Sequence, residues 1–316
     1  MSAPQRSVAA PDPSAVRYPG PWRHIDVSAN GVRFHAAEAG SGPLVVFLHG
    51  FGQFWWSWRH QLEHLPQLGY RAVAVDVRGY GDSDKPPRGY DAFTLAGDTS
   101  GLIRALGEPS AVVVGTGLGG LTAFNTAAVR PQQVRAVVAV NAAHPMSLAR
   151  MRRSRRAGGY RRLLARARWP WWPERRLAAG NGAGLERVVR QGAGRAWLAS
   201  ADYDDTIGRM RDAITIPGVS HAALEHLRWI ARSPWRSDGL RHREALLRHP
   251  VTAPVLHIGG EGDRVIPLAM LSEAAQYCSG GYLRHVISGV GHYAAEESPA
   301  RVTELVADFL QGLDQH

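Results

Sequence analysis

Cysteine is almost absent from this 316-residue sequence, in which Cys278 is the only one. A single cysteine excludes an internal disulfide framework and makes a cysteine-rich zinc site unexpected. Long hydrophobic runs are also absent, since no stretch approaches the ~20 apolar residues that a transmembrane helix needs. Residues 1–20 are rich in Ala, Pro and Ser and lack the apolar centre of a signal peptide. We therefore expect a disordered tail over 1–20 and, by elimination, a cytoplasmic protein.

Acidic residues are also in short supply, with 27 against 37 basic residues and a formal net charge of +10. Lys85 is the only lysine, so arginine carries the excess. Residues 146–176 contain eleven arginines and one acid, Glu174, and this segment therefore accounts for the whole formal excess. The eleven are Arg150, Arg152, Arg153, Arg155, Arg156, Arg161, Arg162, Arg166, Arg168, Arg175 and Arg176.

This basic segment surrounds the run WPWWP at 169–173. Arginines beside the tryptophans of WPWWP suit attachment to an anionic membrane surface, through residues 150–176. Nucleic-acid binding is disfavoured, because the segment matches no recognised nucleic-acid module. The sequence favours a solvated cap surface without a partner over both of these interpretations.

What the chain does contain is 45% hydrophobic and 20% charged residues, which excludes an intrinsically disordered protein. Two short strand patterns meet at Asn30-Gly31, a hairpin signal. Buried strand patterns then alternate with helical ones, which predicts a mostly parallel, eight-stranded sheet covered by helices on both faces. The predicted strands are 23–29, 32–38, 44–50, 71–77, 111–115, 134–141, 253–260 and 282–288. The predicted helices are 55–65, 94–106, 118–129, 267–277 and 299–313.

The alternation of strands and helices stops between His144 and His249, where the chain is helical and rich in Arg and Trp. One sheet with an insertion explains this order better than two sequential domains. The predicted organisation is a core formed by 21–143 and 250–316, with a helical cap at 144–249 inserted after the sixth strand.

Chemically distinctive residues follow the predicted strands, at the edge of the sheet where ligand sites of parallel sheets lie. They include His49-Gly50-Phe51-Gly52, Asp76 with RGYGDSD, the glycine-rich run at 115–120, Gly262-Asp263 and Gly291-His292. With these motifs in this order, the chain from 23 to 313 resembles an α/β-hydrolase. The stretches HGFGQFWWSWRHQL, DVRGYGDSDKP and NAAHP resemble the epoxide hydrolase and dehalogenase group, which carries a helical cap.

The resemblance implies roles for four residues. His292 matches the general base, and Asp263 matches the acid that orients it. The backbone N–H groups of Phe51 and Leu118 match the oxyanion hole. The resemblance also implies a small apolar electrophile as substrate, with no cofactor and no metal.

One departure from the family pattern decides the chemistry. The middle residue of the G-x-nucleophile-x-G elbow is Ser, Asp or Cys in the family, and here it is Gly117. Glycine tolerates the elbow backbone, but covalent catalysis then has no attacking atom. Thr116 is a weak substitute, because adjacent elbow residues point in different directions. The chain is therefore expected either to activate water directly with His292 and Asp263, or to be an inactive pseudo-hydrolase that binds a ligand or protein.

Further departures concern the oxyanion loop and the cap. Gly52 stands where epoxide hydrolases usually have proline. These enzymes also use cap tyrosines, for which Tyr160 and Tyr203 are the candidates. We expect Trp55, Trp56 and Trp58 to combine packing with lining of a substrate cavity.

Two short motifs suggest other chemistry. Gly115, Gly117 and Gly120 match a dinucleotide-binding fingerprint, although the acidic residue that should follow about 20 residues later is missing. The segment at 60–64, HQLEH, matches a metal-binding pattern on a helix but has no identifiable third ligand. Both are disfavoured.

Overall fold

The computed structural model describes residues 11–151 and 158–315. Its strands are β1 Arg23–Ala29, β2 Val32–Ala39, β3 Leu44–Leu48, β4 Arg71–Val75, β5 Ala111–Thr116, β6 Val134–Val140, β7 Val255–Gly260 and β8 Tyr282–Ile287. Its α-helices are α1 Arg59–His64, α2 Ala92–Ala105, α3 Leu118–Val129, α4 Pro145–Met151, α5 Gly158–Ala167, α6 Trp172–Gly192, α7 Arg195–Leu198, α8 Ala201–Thr215, α9 Val219–Arg232, α10 Ser237–Arg248, α11 Ala269–Ala274, α12 Ala294–Glu297 and α13 Pro299–Asp314. Short 3-10 helices include Pro13–Val16, Trp55–Trp58, Leu65–Leu68 and Ser233–Trp235.

The eight strands form one sheet in the order β1-β2-β4-β3-β5-β6-β7-β8. The β1–β2 hairpin turns at Asn30 and Gly31, whose φ angles of 47° and 74° are those that a tight two-residue hairpin turn requires. β2 is antiparallel to β4, and every later neighbour is parallel. The predicted mostly parallel, eight-stranded sheet is confirmed.

Helices cover both faces of the sheet, as the continuous apolar strands predict. Every residue of β3 and β5 is buried. On β3, Phe47 packs with Trp58 in one apolar cluster, while Val46 packs with Phe124 in another. The two clusters lie on opposite faces because successive strand residues point to opposite sides.

The insertion after β6 consists of helices α4 to α10. α5 packs against α9, and α6 against α8. α6 is broken at 179–182, where the backbone angles are not helical. The insertion reaches the core at Leu185, which lies against Gly52, and at Gly192, whose carbonyl accepts a hydrogen bond from His292 N. It therefore covers the ends of the strands at which the distinctive residues lie.

The N-terminal segment differs from the prediction of a disordered tail. Pro13–Val16 is a short helix capped by the Asp12 side chain, and Val16 is fully buried. The Val16 carbonyl accepts a 2.8 Å hydrogen bond from Trp55 Nε1, and Arg17 pairs with Asp82. The prediction of a disordered tail is wrong for 12–18. The composition of this segment is typical of disorder, but Val16 and Arg17 anchor it to the core. Residues 1–10 lie outside the described residues.

None of the helices within 11–151 and 158–315 combines the length and apolarity that crossing a membrane requires.

Candidate functional site

A sharp turn joins β5 to α3, and Gly117 is its central residue. Gly117 has φ 51° and ψ −112°, a conformation that glycine adopts without strain. A Cβ atom built there would have Gly50 Cα and His292 Nε2 as its nearest neighbours, both at 3.7 Å. These are ordinary contacts, so the turn has room for a side chain that the sequence does not supply.

The neighbouring glycines serve packing. A Cβ at Gly119 would overlap the Leu48 carbonyl, and one at Gly120 would overlap Ala142 Cβ. A Cβ at Gly115 would overlap the Gly119 backbone. The close approach of α3 to the sheet therefore explains the glycine spacing that also resembles a nucleotide-binding fingerprint.

His292 and Asp263 form a hydrogen-bonded pair beside this turn. His292 Nδ1 lies 2.9 Å from Asp263 Oδ2, and the Asp263 side chain is 1% exposed. Since a carboxylate only accepts, Nδ1–H donates and Nε2 is left as the acceptor of the neutral ring. The structure thus brings together three predicted residues, with the open nitrogen of His292 facing the empty position at Gly117.

Backbone N–H groups fix the Asp263 carboxylate from its other side. Oδ1 accepts hydrogen bonds from Val265 N at 2.7 Å and Ile266 N at 2.9 Å. Oδ2 accepts a second bond from Asn141 Nδ2 at 2.8 Å, in addition to the one from His292. Four donors therefore determine the orientation of the acid.

Asn141, at the end of β6, was missed by the sequence reasoning. Its Nδ2 also donates to the Gly291 carbonyl at 3.0 Å, and its Oδ1 accepts from Ala294 N at 3.3 Å. The one side chain therefore ties Asp263 to the loop that carries His292. Its position directly after a buried strand was the available signal.

Glu297 holds the histidine loop from the opposite side. Its carboxylate accepts hydrogen bonds from Gly291 N at 2.6 Å, from Tyr293 N at 3.0 Å and from Gly194 N at 3.0 Å. Burial raises the pKa of Glu297, and these donors act against that shift. Because Gly194 belongs to the insertion, Glu297 joins the histidine loop to the cap.

The two predicted oxyanion donors flank Gly117. Leu118 is the first residue of α3, and Phe51 follows Gly50 in the loop after β3. Across 11–151 and 158–315, neither the Phe51 nor the Leu118 backbone N–H donates a hydrogen bond to the protein. The first N–H groups of a helix have no partner within it. Both donors are therefore available to an oxygen atom beside Gly117.

This geometry agrees with the comparisons to known proteins. Residues 43–299 match the alpha/beta hydrolase fold family. The chain is 31% identical, over 291 residues, to the AB hydrolase superfamily protein YfhM of Bacillus subtilis, covering 90% of this chain and 96% of that protein. The chain belongs to the α/β-hydrolase fold family.

Within the family, the similarity is to epoxide hydrolases. Epoxide hydrolase 2 of Siraitia grosvenorii is 29% identical over 325 residues, covering 91% of this chain and 98% of that protein. An epoxide hydrolase from an endophytic Streptomyces has a structure that aligns with a TM-score of 0.71 and 29% identity, covering 94% of this chain and 97% of its own.

The oxyanion loop departs from the proline that epoxide hydrolases usually carry. Gly52 has φ 72°, a left-handed conformation that proline cannot adopt because its ring fixes φ near −65°. A Cβ at Gly52 would also overlap Leu185 of the cap. The loop is instead held by Gln53, whose Oε1 accepts from Gly50 N at 2.8 Å.

Of the two candidate cap tyrosines, the structure describes the side chain of Tyr203. Tyr203 is fully buried against Trp197, with ring centroids 5.0 Å apart, and Trp197 packs on Tyr293, the neighbour of His292. The Tyr203 hydroxyl has no hydrogen-bond partner within the part of the chain that the structure describes. The side chain of Tyr160 lies outside that part.

The tryptophans after β3 pack elsewhere. Trp55 and Trp58 are fully buried in the core, and Trp56 lies under the Arg209 guanidinium, 4.3 Å from its ring centroid. None of their ring contacts within the described residues involves His292. The expectation that they also line a substrate cavity finds no support in these contacts.

The remaining candidates for other chemistry are Thr116 and the HQLEH motif. Thr116 is 2% exposed at the end of β5. Burial and the positive charge of Arg59 lower the pKa of His60, in the HQLEH motif, to about 4. Among the described residues, no group of three or more His, Cys, Asp or Glu side chains lies close enough together to hold a metal ion.

Proposed function

We propose that this protein is a hydrolase in which His292 activates a water molecule directly, without a covalent intermediate, against a small apolar electrophile of the epoxide type. The observation that carries the proposal is the position of His292 Nε2. It is held by Asp263 at 2.9 Å on the far side of the ring, and it faces the unoccupied Cβ position of Gly117 at 3.7 Å.

Each site residue has its own role in such a reaction. A water molecule beside Gly117 is positioned by a hydrogen bond from the Phe51 or Leu118 N–H group and donates to His292 Nε2, which removes that proton as the free lone pair of the water oxygen attacks an epoxide carbon. The ring carbon–oxygen bond breaks, the alkoxide takes up the proton that His292 holds, and the product is a diol. Asp263 stabilises the charged imidazole during the transfer.

The walls of the site favour an apolar substrate. Phe51, Leu118 and Val265 are partly exposed and pack against an apolar cluster that includes Leu164 and Leu227 of the cap. Ligand pockets of this kind combine mostly apolar walls with a few polar groups that orient the ligand.

The test is hydrolysis of styrene oxide by the wild type and by His292→Gln. Loss of a general base lowers turnover by roughly 10²–10⁴-fold, whereas the control Thr116→Val leaves the rate unchanged. In ¹⁸O-labelled water, the first turnover of the wild type places the label in the diol. Unaltered turnover by His292→Gln, or an unlabelled first product, contradicts the proposal.

The missing side chain at Gly117 favours a second function, in which the site binds a ligand or a protein without turnover. No diol from the wild type across a panel of epoxides, together with saturable protection against thermal unfolding by one of them, supports this second function over the first.

A further inference from the structure

The cap exposes most of the large apolar side chains that face solvent. Of the nine exposed large hydrophobic residues within 11–151 and 158–315, six lie on the insertion, and they are 52–77% exposed. Contiguous exposed apolar surface on a soluble domain marks an interaction site. We call these six the tryptophan face: Trp169, Trp171, Trp172, Trp235, Leu240 and Leu247.

Specific contacts hold the tryptophan face together. The Arg168 guanidinium lies over the Trp235 ring, 5.9 Å from its centroid, and Trp235 lines one groove together with Leu240 and Leu247. The buried Arg228 donates to the Trp169 carbonyl at 2.7 Å and pairs with Glu174. These contacts tie the backbone at Trp169 and the ring of Trp235 to the cap, and they place Trp235, Leu240 and Leu247 along one groove.

Positive charge surrounds the face. Five exposed arginines in the same cap segment as Trp169, Trp171 and Trp172 form no ion pair with a carboxylate in the described residues. The only acid of the segment, Glu174, is largely buried and neutralised by Arg228. The face thus combines apolar rings with uncompensated cations. The five are Arg161, Arg166, Arg168, Arg175 and Arg176.

The backbone at Trp171 supports an external role for this face. Trp171 has φ 56°, an unfavourable angle for a bulky residue, and its indole is the most exposed of the six side chains. Backbone strain at a residue whose side chain is not buried in the fold is a feature of functional positions.

We propose that the tryptophan face docks on the surface of an anionic lipid bilayer. Indole rings prefer the boundary between headgroups and acyl chains, and arginines are attracted to anionic headgroups. Bases of single-stranded nucleic acid stack on aromatic rings, but they give no role to the exposed aliphatic Leu240 and Leu247. The proposal is independent of the hydrolase chemistry, because binding to vesicles requires no turnover.

Co-sedimentation with vesicles of phosphatidylcholine and phosphatidylserine at 3:1 tests the arginines. Each arginine near an anionic surface contributes about fivefold in partitioning. Arg175→Gln/Arg176→Gln therefore lowers binding about 25-fold in 50 mM salt. The matched control Arg88→Gln/Arg130→Gln removes two exposed core arginines and leaves binding unchanged.

The contribution of apolar side chains to vesicle binding is tested by Trp169→Ala/Trp171→Ala. The control is Leu68→Ala, which removes an exposed leucine outside the cap. We expect the tryptophan variant to lose at least tenfold in binding, together with the blue shift of tryptophan emission that vesicles induce in the wild type. Absence of wild-type binding in 50 mM salt, equal binding to pure phosphatidylcholine, or equal losses in the control variants overturns the proposal. Tighter binding of a 20-nucleotide single-stranded DNA that displaces the vesicles assigns the face to nucleic acid instead.

Discussion

Gly117→Asp is the substitution that tests the site most directly, because it supplies the side chain that the elbow lacks. The Cβ has room, with its nearest neighbours at 3.7 Å. The carboxylate would then lie beside His292 Nε2 and the free N–H groups of Phe51 and Leu118. If the rest of the site is aligned, the variant attacks an epoxide carbon and forms an ester.

The expected stability change follows from the backbone. A residue other than glycine at φ 51° and ψ −112° is strained by about 1–3 kcal/mol. Overpacking adds little, since a Cβ at Gly117 makes only ordinary contacts. We therefore expect the free energy of unfolding in urea to fall by about 1–3 kcal/mol. Gly117→Ala is the matched control, with the same strain and no carboxylate.

The readout is the intact mass after incubation with styrene oxide. Gly117→Asp/His292→Gln should gain the mass of one substrate molecule, because the ester forms while the base that hydrolyses it is gone. Gly117→Ala should gain nothing. A folded variant without an adduct, or a loss of more than about 3 kcal/mol in Gly117→Ala, shows that the inferred room and alignment at the elbow are wrong.

Three further predictions concern the surroundings of the site. Asn141→Ala removes the hydrogen bonds that hold Asp263 and the histidine loop, so the free energy of unfolding in urea should fall by about 1–3 kcal/mol and turnover should slow. An unchanged free energy of unfolding contradicts this prediction. Arg59→Met leaves the fully buried Glu296 carboxylate unpaired and should lose about 3–5 kcal/mol, most of which Arg59→Met/Glu296→Met recovers. Five histidines have pKa values that burial lowers to about 4 or below, so the unfolded chain binds more protons than the folded one. Stability therefore falls as the pH drops from 6.5 towards 4, by up to about 1.4 kcal/mol per pH unit for each histidine. An equal thermal midpoint at pH 7 and pH 5 contradicts this last prediction. The five are His144, with a pKa of about 3, and His60, His226, His242 and His257, each with a pKa of about 4.

The sheet was predictable because buried parallel strands leave continuous apolar runs between glycines. The helix Leu118–Val129 matches its predicted bounds, and β1 and β5 lie within one residue of theirs. The assembly of Gly117, Asp263 and His292 was predictable for a related reason. Each follows a strand, and parallel strands end at one edge of the sheet.

The supporting residues were not predictable, because their role depends on contacts between distant segments. Asn141 bonds to Asp263 122 positions away, and Arg59 pairs with Glu296 across 237. The position of Asn141 after a strand places it at the edge of the sheet, but no local pattern identifies the distant partner that such a side chain bonds to. The anchoring of Val16 under Trp55 was missed for the same reason, since a single apolar residue in a tail of Ala, Pro and Ser carries no periodic signal.

The hydrogen bonds around His292 bear on whether the site is catalytically competent. The Asp263 carboxylate is buried and Glu297 is partly buried. Removing a charge from water costs free energy unless donors compensate for it. Seven hydrogen bonds hold these two side chains, and six of them come from groups around the histidine loop, the acid loop and Asn141. Apolar side chains at positions 263 and 297 would need no such hydrogen-bond donors. Glycine at 117, in turn, relieves the strain of the elbow while leaving Nε2 open. An oriented histidine beside an unstrained and open position is the arrangement that the proposed direct activation of water requires.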